Sequence, residues 1–324
     1  MVLILSASND VSTDYVIEWF RHYKIPCIRL NERDTGNILA SVEFRNGKQF
    51  IALNIKGQPI SMDDITGVWF RRSTITFTSA LSAHRKKEDA LAWQIAALLD
   101  RENRVLTEFI ATKLSTINAL NNQLNYNTNK LLTLMYAQEV GLKIPHTLIA
   151  TVKDDIRNKL GNADSEIITK PIQDIFWLNY SGTSRAQYTA ALSEYSQIPD
   201  RFYYSLFQER IEKKYELRIF FIEEKFYACA IFSKATEGRN VYQDGKMVRM
   251  VPFSISNTLK EQLVRLSSLC KLNSGSVDLM VDKQGDCYFL EINPVGQFGY
   301  ISKECNYHLD QKIAKFFQHE PVQQ

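Results

Sequence analysis

Glu291 and Asn293 stand two residues apart in the run Cys287-Tyr-Phe-Leu-Glu-Ile-Asn-Pro-Val-Gly-Gln297. On a β-strand that spacing sends both side chains to one face and Ile292 to the other. Asp278 lies in an earlier apolar stretch, Ser276 to Val281, and Asp282-Lys-Gln-Gly285 between the two is turn-forming. Together they read as a hairpin with three oxygen donors on neighbouring strands. Two carboxylates and an amide carbonyl, with neither sulfur nor imidazole, suit Mg²⁺. Magnesium held by so few protein ligands commonly shares its other positions with water and nucleotide phosphates. Residue by residue, a hairpin with surface acids and a turn Asn before Pro294 gives the same pattern.

The elements that must position these donors can be read in order. Val2 to Leu5 is a short buried strand, Thr13 to His22 an amphipathic helix, and Cys27 to Leu30 a second strand. This β-α-β opening predicts a parallel sheet. It lacks the G-x-G-x-x-G turn of dinucleotide folds. Phe50 to Ile55, ended by Gly57-Gln-Pro59, and Ile65 to Phe70 are further strands. The latter runs into Arg71-Arg72, which either meet an anionic substrate group or are two solvated charges. Lys87 to Arg101 is a helix with Leu91, Ile95, Leu98 and Leu99 on one side.

A second unit begins near residue 110. Asn127-Thr-Asn-Lys130 opens a helix that Gly141 closes, with Pro145 just beyond. Strands follow at His146 to Thr151 and Glu166 to Thr169, ahead of Lys170-Pro171. Residues 174–188 read as a mobile flap or as an ordinary connecting loop. A third unit starts at Ser205. Glu216 to Ile222 and Lys225 to Ser233 form an antiparallel hairpin, and Lys234 to Arg249 is a polar stretch that overhangs the site or meets a partner. Leu259 to Leu272 is a helix, the donor-bearing hairpin follows, and His308 to Phe317 is a last amphipathic helix. No internal repeat or low-complexity tract is present.

Bulk composition narrows the classes. The chain has 324 residues, 45% apolar and 23% charged, with a net charge of +3. That length holds two or three domains. The charge balance and the lack of a long Lys/Arg run argue against a nucleic-acid partner. The five scattered cysteines, 27, 229, 270, 287 and 305, read as reduced thiols in a cytoplasmic protein. Met1-Val-Leu-Ile-Leu5 reads as a strand rather than a signal peptide, and no apolar run approaches the ~20 residues of a membrane span.

Lys130, Lys170-Pro171, Gln208-Glu-Arg-Ile211, Glu216-x-Arg218, Asp278 and Glu291-x-Asn293-Pro294 occur in an order that resembles an ATP-grasp ligase. Glu209 and Glu216 are 216 − 209 = 7 residues apart, and Asp278 and Glu291 are 291 − 278 = 13 apart, spacings similar to those of that superfamily. The resemblance runs from about residue 110 to the end. It implies an α/β (α+β) architecture: a pre-ATP-grasp parallel-sheet domain (1–110) and two lobes that clasp a nucleotide (111–205 and 206–324). Ala119 to Thr147, Leu272 to Asp278, Asn293 to Phe298 and Cys305-Asn-Tyr307 are similar to the graspetide maturases, the microviridin-type and "grasp-with-spasm" peptide ligases.

That resemblance implies an ATP- and Mg²⁺-dependent macrocyclase acting on a ribosomally made precursor peptide with a leader, and frequently a homodimer. It assigns Lys130 and Lys170 to ATP phosphates, Gln208, Glu209, Arg210 and Ile211 to the adenine hinge, and Glu216 to the ribose. Arg218, with Lys170, would act in phosphoryl transfer, and Asp278, Glu291 and Asn293 would hold the metal. Arg239 and Arg249 would contact an acidic peptide, or are solvated loop charges. Family members often carry Asp-x-Arg after the Ser233 strand, where this chain has Glu237-Gly-Arg239. Two other readings stand beside this one: a carboxylate–amine ligase that adds amino acids to a protein or small molecule, and a non-catalytic ATP-binding regulator.

Overall fold

In the computed structural model, the aliphatic run Val2–Ser6 forms strand β1, buried at every position. The structure describes residues 1–318 apart from 33, 35–38, 76, 78–89, 124–127, 161–166, 174–176, 181–182, 187–188, 193–194, 196–197 and 234–247. The chain divides into two units. One is Met1–Asn127 with Lys271–Ser274 and Gln297–Gln324; the other is Thr128–Cys270 with Gly275–Gly296.

In the first unit, helix α1 (Val11–His22) buries Thr13, Val16 and Phe20, a three-then-four spacing that marks one helical face. Strand β2 (Cys27–Asn31) then runs parallel to β1. Strands β3 (Leu39–Arg45), β4 (Lys48–Ile55) and β5 (Gln58–Ser61) form a separate antiparallel sheet. Only β4 was expected. Both of its turns are two residues long, Asn46-Gly47 and Lys56-Gly57, with all four residues at positive φ. That geometry matches the strand twist of a tight hairpin.

Strand β6 (Gly67–Phe70) pairs with the other edge of β1, and β7 (Asn118–Leu120) with β6, so the order β2-β1-β6-β7 is parallel throughout. The parallel sheet is the one expected from the opening β-α-β pattern. Between β6 and β7, helix α2 (Ala90–Ser115) runs through residue 110.

The face of α2 is a correction. Of Leu91, Ile95, Leu98 and Leu99, expected on one side of it, the first three are 64%, 42% and 57% exposed and Leu99 is half-buried. The buried side is Ala96, Ile110 and Leu114, with Leu106 and Phe109 packed on the same core. Helical periodicity alone offers two apolar stripes here, and the sheet takes the C-terminal one.

The second unit opens with α3 (Lys130–Glu139), β8 (Thr147–Val152), α4 (Lys153–Leu160) and β9 (Ile167–Lys170). A hairpin, β10 (Trp177–Tyr180) with β11 (Thr183–Ala186), follows, then β12 (Ala190–Ala191) and β13 (Arg201–Glu209). Part of the expected 174–188 flap is thus a hairpin, and the rest lies outside the described residues. Sheet β12-β9-β13-β8 carries α4, whose Ile156 and Leu160 join Ala150, Ile167 and Phe207 in one core.

Strands β14 (Lys213–Ile222), β15 (Lys225–Ser233) and β16 (Val248–Phe253) precede helix α5 (Asn257–Leu269). Strands β17 (Ser274–Asp282) and β18 (Cys287–Asn293) complete a sheet of order β16-β15-β14-β17-β18. Helices α6 (Gly299–Glu304) and α7 (Leu309–Phe316) return to the first unit, where Phe317 packs edge-on against Phe20. No described helix is long and apolar enough to cross a membrane.

Candidate active site

Asn129 caps α3: its side-chain oxygen accepts from the N–H groups of Leu131 and Leu132. This fixes Lys130 at the first helical position. A cation there faces the positive end of the helix dipole, which stability alone disfavours. The compensation is local. Lys130 Nζ donates to the Gln173 carbonyl at 3.0 Å and lies 3.8 Å from Glu291 Oε2. Lys170 ends β9. Burial pulls its pKa below the usual lysine value, the Glu291 carboxylate opposes that pull, and the Lys130 charge adds to it. Two ammonium groups therefore share one carboxylate.

That carboxylate sits on the expected hairpin. Asp278 on β17 is directly opposite Glu291 on β18, and Ser276 opposite Asn293. The register slips just after Asp278, where Leu279 pairs with Phe289. Such a bulge re-aims side chains beside it. Asp278 Oδ1, although buried, meets Arg218 Nε on the neighbouring strand β14 as an ion pair. Burial pushes the Asp278 carboxyl up to about 7; Arg218 opposes this, and the Glu291 and Glu216 carboxylates reinforce it.

Glu216, two residues before Arg218, is gripped by a residue that sequence reasoning missed. Lys213 Nζ is 2.5 Å from Glu216 Oε1 and 3.0 Å from Ser233 Oγ. On a strand, three residues apart means opposite faces, so nothing in the sequence pairs them.

The donor set fits a small hard cation. Asp278 and Glu291 are adjacent, mutually repelling and oxygen-only. Among the described residues no three His, Cys, Asp or Glu side chains form a metal group. A metal here therefore rests on two carboxylates and a neutral oxygen, which suits an ion that keeps much of its water. Asn293 is next on the same strand face, but its Oδ1 accepts from Val295 N (3.0 Å) and Gly296 N (3.3 Å). An amide oxygen has two lone pairs, so ligation by Asn293 means loosening one of those bonds.

The Asn293 turn is held by backbone contact that only glycine permits. A Cβ on Gly296, at φ +35, would sit 2.7 Å from Gly275 C and Ser276 N; one on Gly275 would sit 2.7 Å from the Asn293 carbonyl.

The hinge residues separate in two. Gln208 is 1% exposed and its Nε2 donates to Thr147 Oγ1 at 2.7 Å, so its side chain is part of the sheet interior. Glu209 bonds His146 through both backbone and side chain. Arg210 and Ile211 lie beyond β13, in the three-residue link to β14.

Of the arginines expected to meet an acidic substrate, Arg71 is 3% exposed and bonded to Asp10 Oδ2 at 3.0 Å. It is committed to an internal pair, a correction to the expectation for that residue. Arg72 is one-third exposed. Arg249 is exposed on the edge strand β16, and Arg239 lies outside the described residues.

No protein-family model matches the chain, and neither does any curated protein sequence. Solved structures do. A Chryseobacterium gregarium RiPP-associated ATP-grasp ligase, in complex with ADP and a leader and core peptide, is 22% identical with a TM-score of 0.79; the match covers 98% of this chain and 95% of that one. The macrocyclase MdnC of Microcystis aeruginosa MRC, bound with precursor peptide MdnA, is 23% identical over 98% and 99% of the two chains, with a TM-score of 0.76. The ATP-grasp ligase PsnB, complexed with minimal precursor, Mg and ADP, is 18% identical over 98% and 96%, with a TM-score of 0.70. The chain has the ATP-grasp fold over essentially its full length.

Proposed function

We propose that this protein is an ATP-dependent ligase that joins side chains of a ribosomally made precursor peptide. The observation that carries the reading is the meeting of Lys130, Lys170, Glu291, Asp278 and Arg218 at one place in the ATP-grasp fold. The full-length likeness to ligases solved with ADP and precursor peptides supports it. Residues 1–110 would serve as the pre-ATP-grasp domain, 111–205 as the lobe with both lysines, and 206–324 as the lobe with the acids.

The chemistry explains the residues. A carboxylate is a poor electrophile because its charge repels nucleophiles and oxide leaves badly. Transfer of the γ-phosphoryl group of ATP to an Asp or Glu carboxylate gives an acyl phosphate and ADP. A Ser/Thr hydroxyl or Lys amine then attacks the acyl carbon, phosphate departs, and the nucleophile loses its proton. The protein must chiefly position anions and offset their charge.

Lys130 and Lys170 act on the phosphates as point charges. Lys213 holds one oxygen of Glu216 and leaves the other to accept ribose hydroxyls. Arg210 and Ile211 flank the base. Arg218, anchored to Asp278, faces the charge that develops on the transferring group. Asp278 and Glu291, with Asn293 as neutral donor, would hold Mg²⁺, which supplies charge neutralisation across the phosphates. Arg249 is the described candidate for an acidic peptide contact.

The partner is a precursor peptide with a leader segment, and the free cysteines fit a reducing, cytoplasmic setting. The exposed Ile95, Leu98 and Val105 on α2 favour a homodimer through that helix. Intact-mass spectrometry of a candidate leader-bearing peptide with enzyme, ATP and Mg²⁺ tests the reaction: one water is lost per link formed. Unchanged mass with every such peptide counts against it.

A further inference from the structure

The parallel sheet of the first unit has a switch point. From β1 the chain crosses through α1 to β2 on one side, while β6 lies on the other. In open α/β sheets, ligands bind outside the carboxyl ends of the strands where the winding reverses. Here those ends are Ser6 on β1 and Phe70 on β6, and Arg71 and Arg72 follow directly. Both arginines are pinned to β1, since their backbone N–H groups donate to the Leu5 carbonyl at 2.9 and 3.1 Å.

Among the described residues the charges at this point do not balance. Asp10 Oδ2 accepts from Arg71 Nε at 3.0 Å and Thr13 Oγ1 at 2.8 Å, and Asp10 Oδ1 from Ser12 Oγ at 2.5 Å. Arg72 Nε reaches the same Oδ2 only at 3.5 Å, and although buried it has no hydrogen-bond acceptor among the described residues. Two charged groups on or just after β2 have described partners of their own. Arg29 pairs with Asp14 at 2.5 Å, and Glu32 accepts from the Ser8 N–H and hydroxyl at 3.0 Å each. Among the described residues, two guanidinium groups thus face one carboxylate, and Arg72 Nε is left without an acceptor.

We infer that Arg72, at the β1/β6 switch point, is a binding site for a single carboxylate. Among the described residues one positive charge is in excess, which matches a monoanion better than a phosphate dianion, and a guanidinium fork fits a carboxylate edge-on. The carboxylate can come from an acidic side chain of a peptide or from a free carboxylic acid. The assignment rests on the first unit alone and stands or falls separately from the ATP reading.

The test is titration calorimetry without nucleotide, on the full chain and its Arg72→Gln and Arg72→Lys variants. The probes are a short peptide alternating Thr and Glu, its Gln counterpart, glutarate and inorganic phosphate. Arg72→Gln should weaken the Thr/Glu peptide by about tenfold or more, with the Gln peptide binding neither protein. Arg72→Lys, which keeps the charge and loses the fork, should fall between; it carries the test if Arg72→Gln fails to fold. Glutarate that binds as tightly as the peptide, and is lost in the variant, identifies a free acid as the source. Phosphate binding more tightly than glutarate, peptide affinity indifferent to Arg72, or no binding of either carboxylate probe by the unaltered protein would overturn the assignment.

Discussion

Asp278 and Glu291 are direct cross-strand partners on β17 and β18, and each is met by a cation from a different element: Arg218 of β14 and Lys130 of α3. Like charges directly opposite on a ladder are destabilising. A shared positive ligand would offset that repulsion. Asp278→Asn and Glu291→Gln should each lower ATP turnover by roughly 100-fold or more while the chain still unfolds cooperatively. ADP release measured against Mg²⁺ concentration checks this. Full activity in both variants would remove the metal role.

Arg218 tests the chemical step. Arg218→Ala should reduce kcat by roughly 10²–10³ with little change in nucleotide affinity, as expected for a group that acts on developing charge. Single-turnover rates alongside ATP titration separate the two effects. A change in affinity alone would reassign Arg218 to binding.

Lys213 has the opposite signature. Lys213→Met frees Glu216 from its 2.5 Å tether, and the loss of a charged hydrogen bond, about 1–2 kcal/mol, should raise the KM for ATP several-fold with kcat nearly kept. Removing the 2′-hydroxyl from the nucleotide should have less effect in the variant than in the parent. Equal effects in both would sever the link between Glu216 and ribose.

Asp10 gives a pH prediction. Burial raises its pKa, but Arg71, the Ser12 and Thr13 hydroxyls and Arg72 together outweigh that, leaving it below the ordinary aspartate value. A carboxyl lowered on folding contributes stability that is complete above about pH 4 and lost as pH falls through the folded value. Asp10→Asn should destabilise the protein by about 3 kcal/mol at neutral pH, because it removes the carboxylate that meets the buried Arg71. It should also flatten the acid limb of the stability curve. A variant with an unchanged acid limb would assign the pH dependence to other carboxyls.

Much of this site is legible in the sequence because strand periodicity is local. Two-residue spacing alone places Glu291 beside Asn293 and Glu216 beside Arg218. The helix start at Lys130 follows from Asn129, and its stop from Gly141 at φ +82. Other features depend on distant partners. Lys213 meets Glu216 against the strand alternation, and Gly275 meets Gly296 only once β17 and the Asn293 turn are folded together. The Asn46-Gly47 dipeptide favours a tight hairpin and is a local signal for the pairing of β3 with β4. Arg71 looked like a surface pair with Arg72 because nothing near it in sequence announces Asp10, sixty-one positions away.

The placement of Lys130 and Lys170 has an evolutionary edge. Two cations crowd one glutamate, one of them against a helix dipole and the other out of water. Such strain resists improvement: replacing Lys170 with Met should yield a chain that melts at a higher temperature and turns over no ATP. Selection for heat tolerance would therefore work against catalysis at this position.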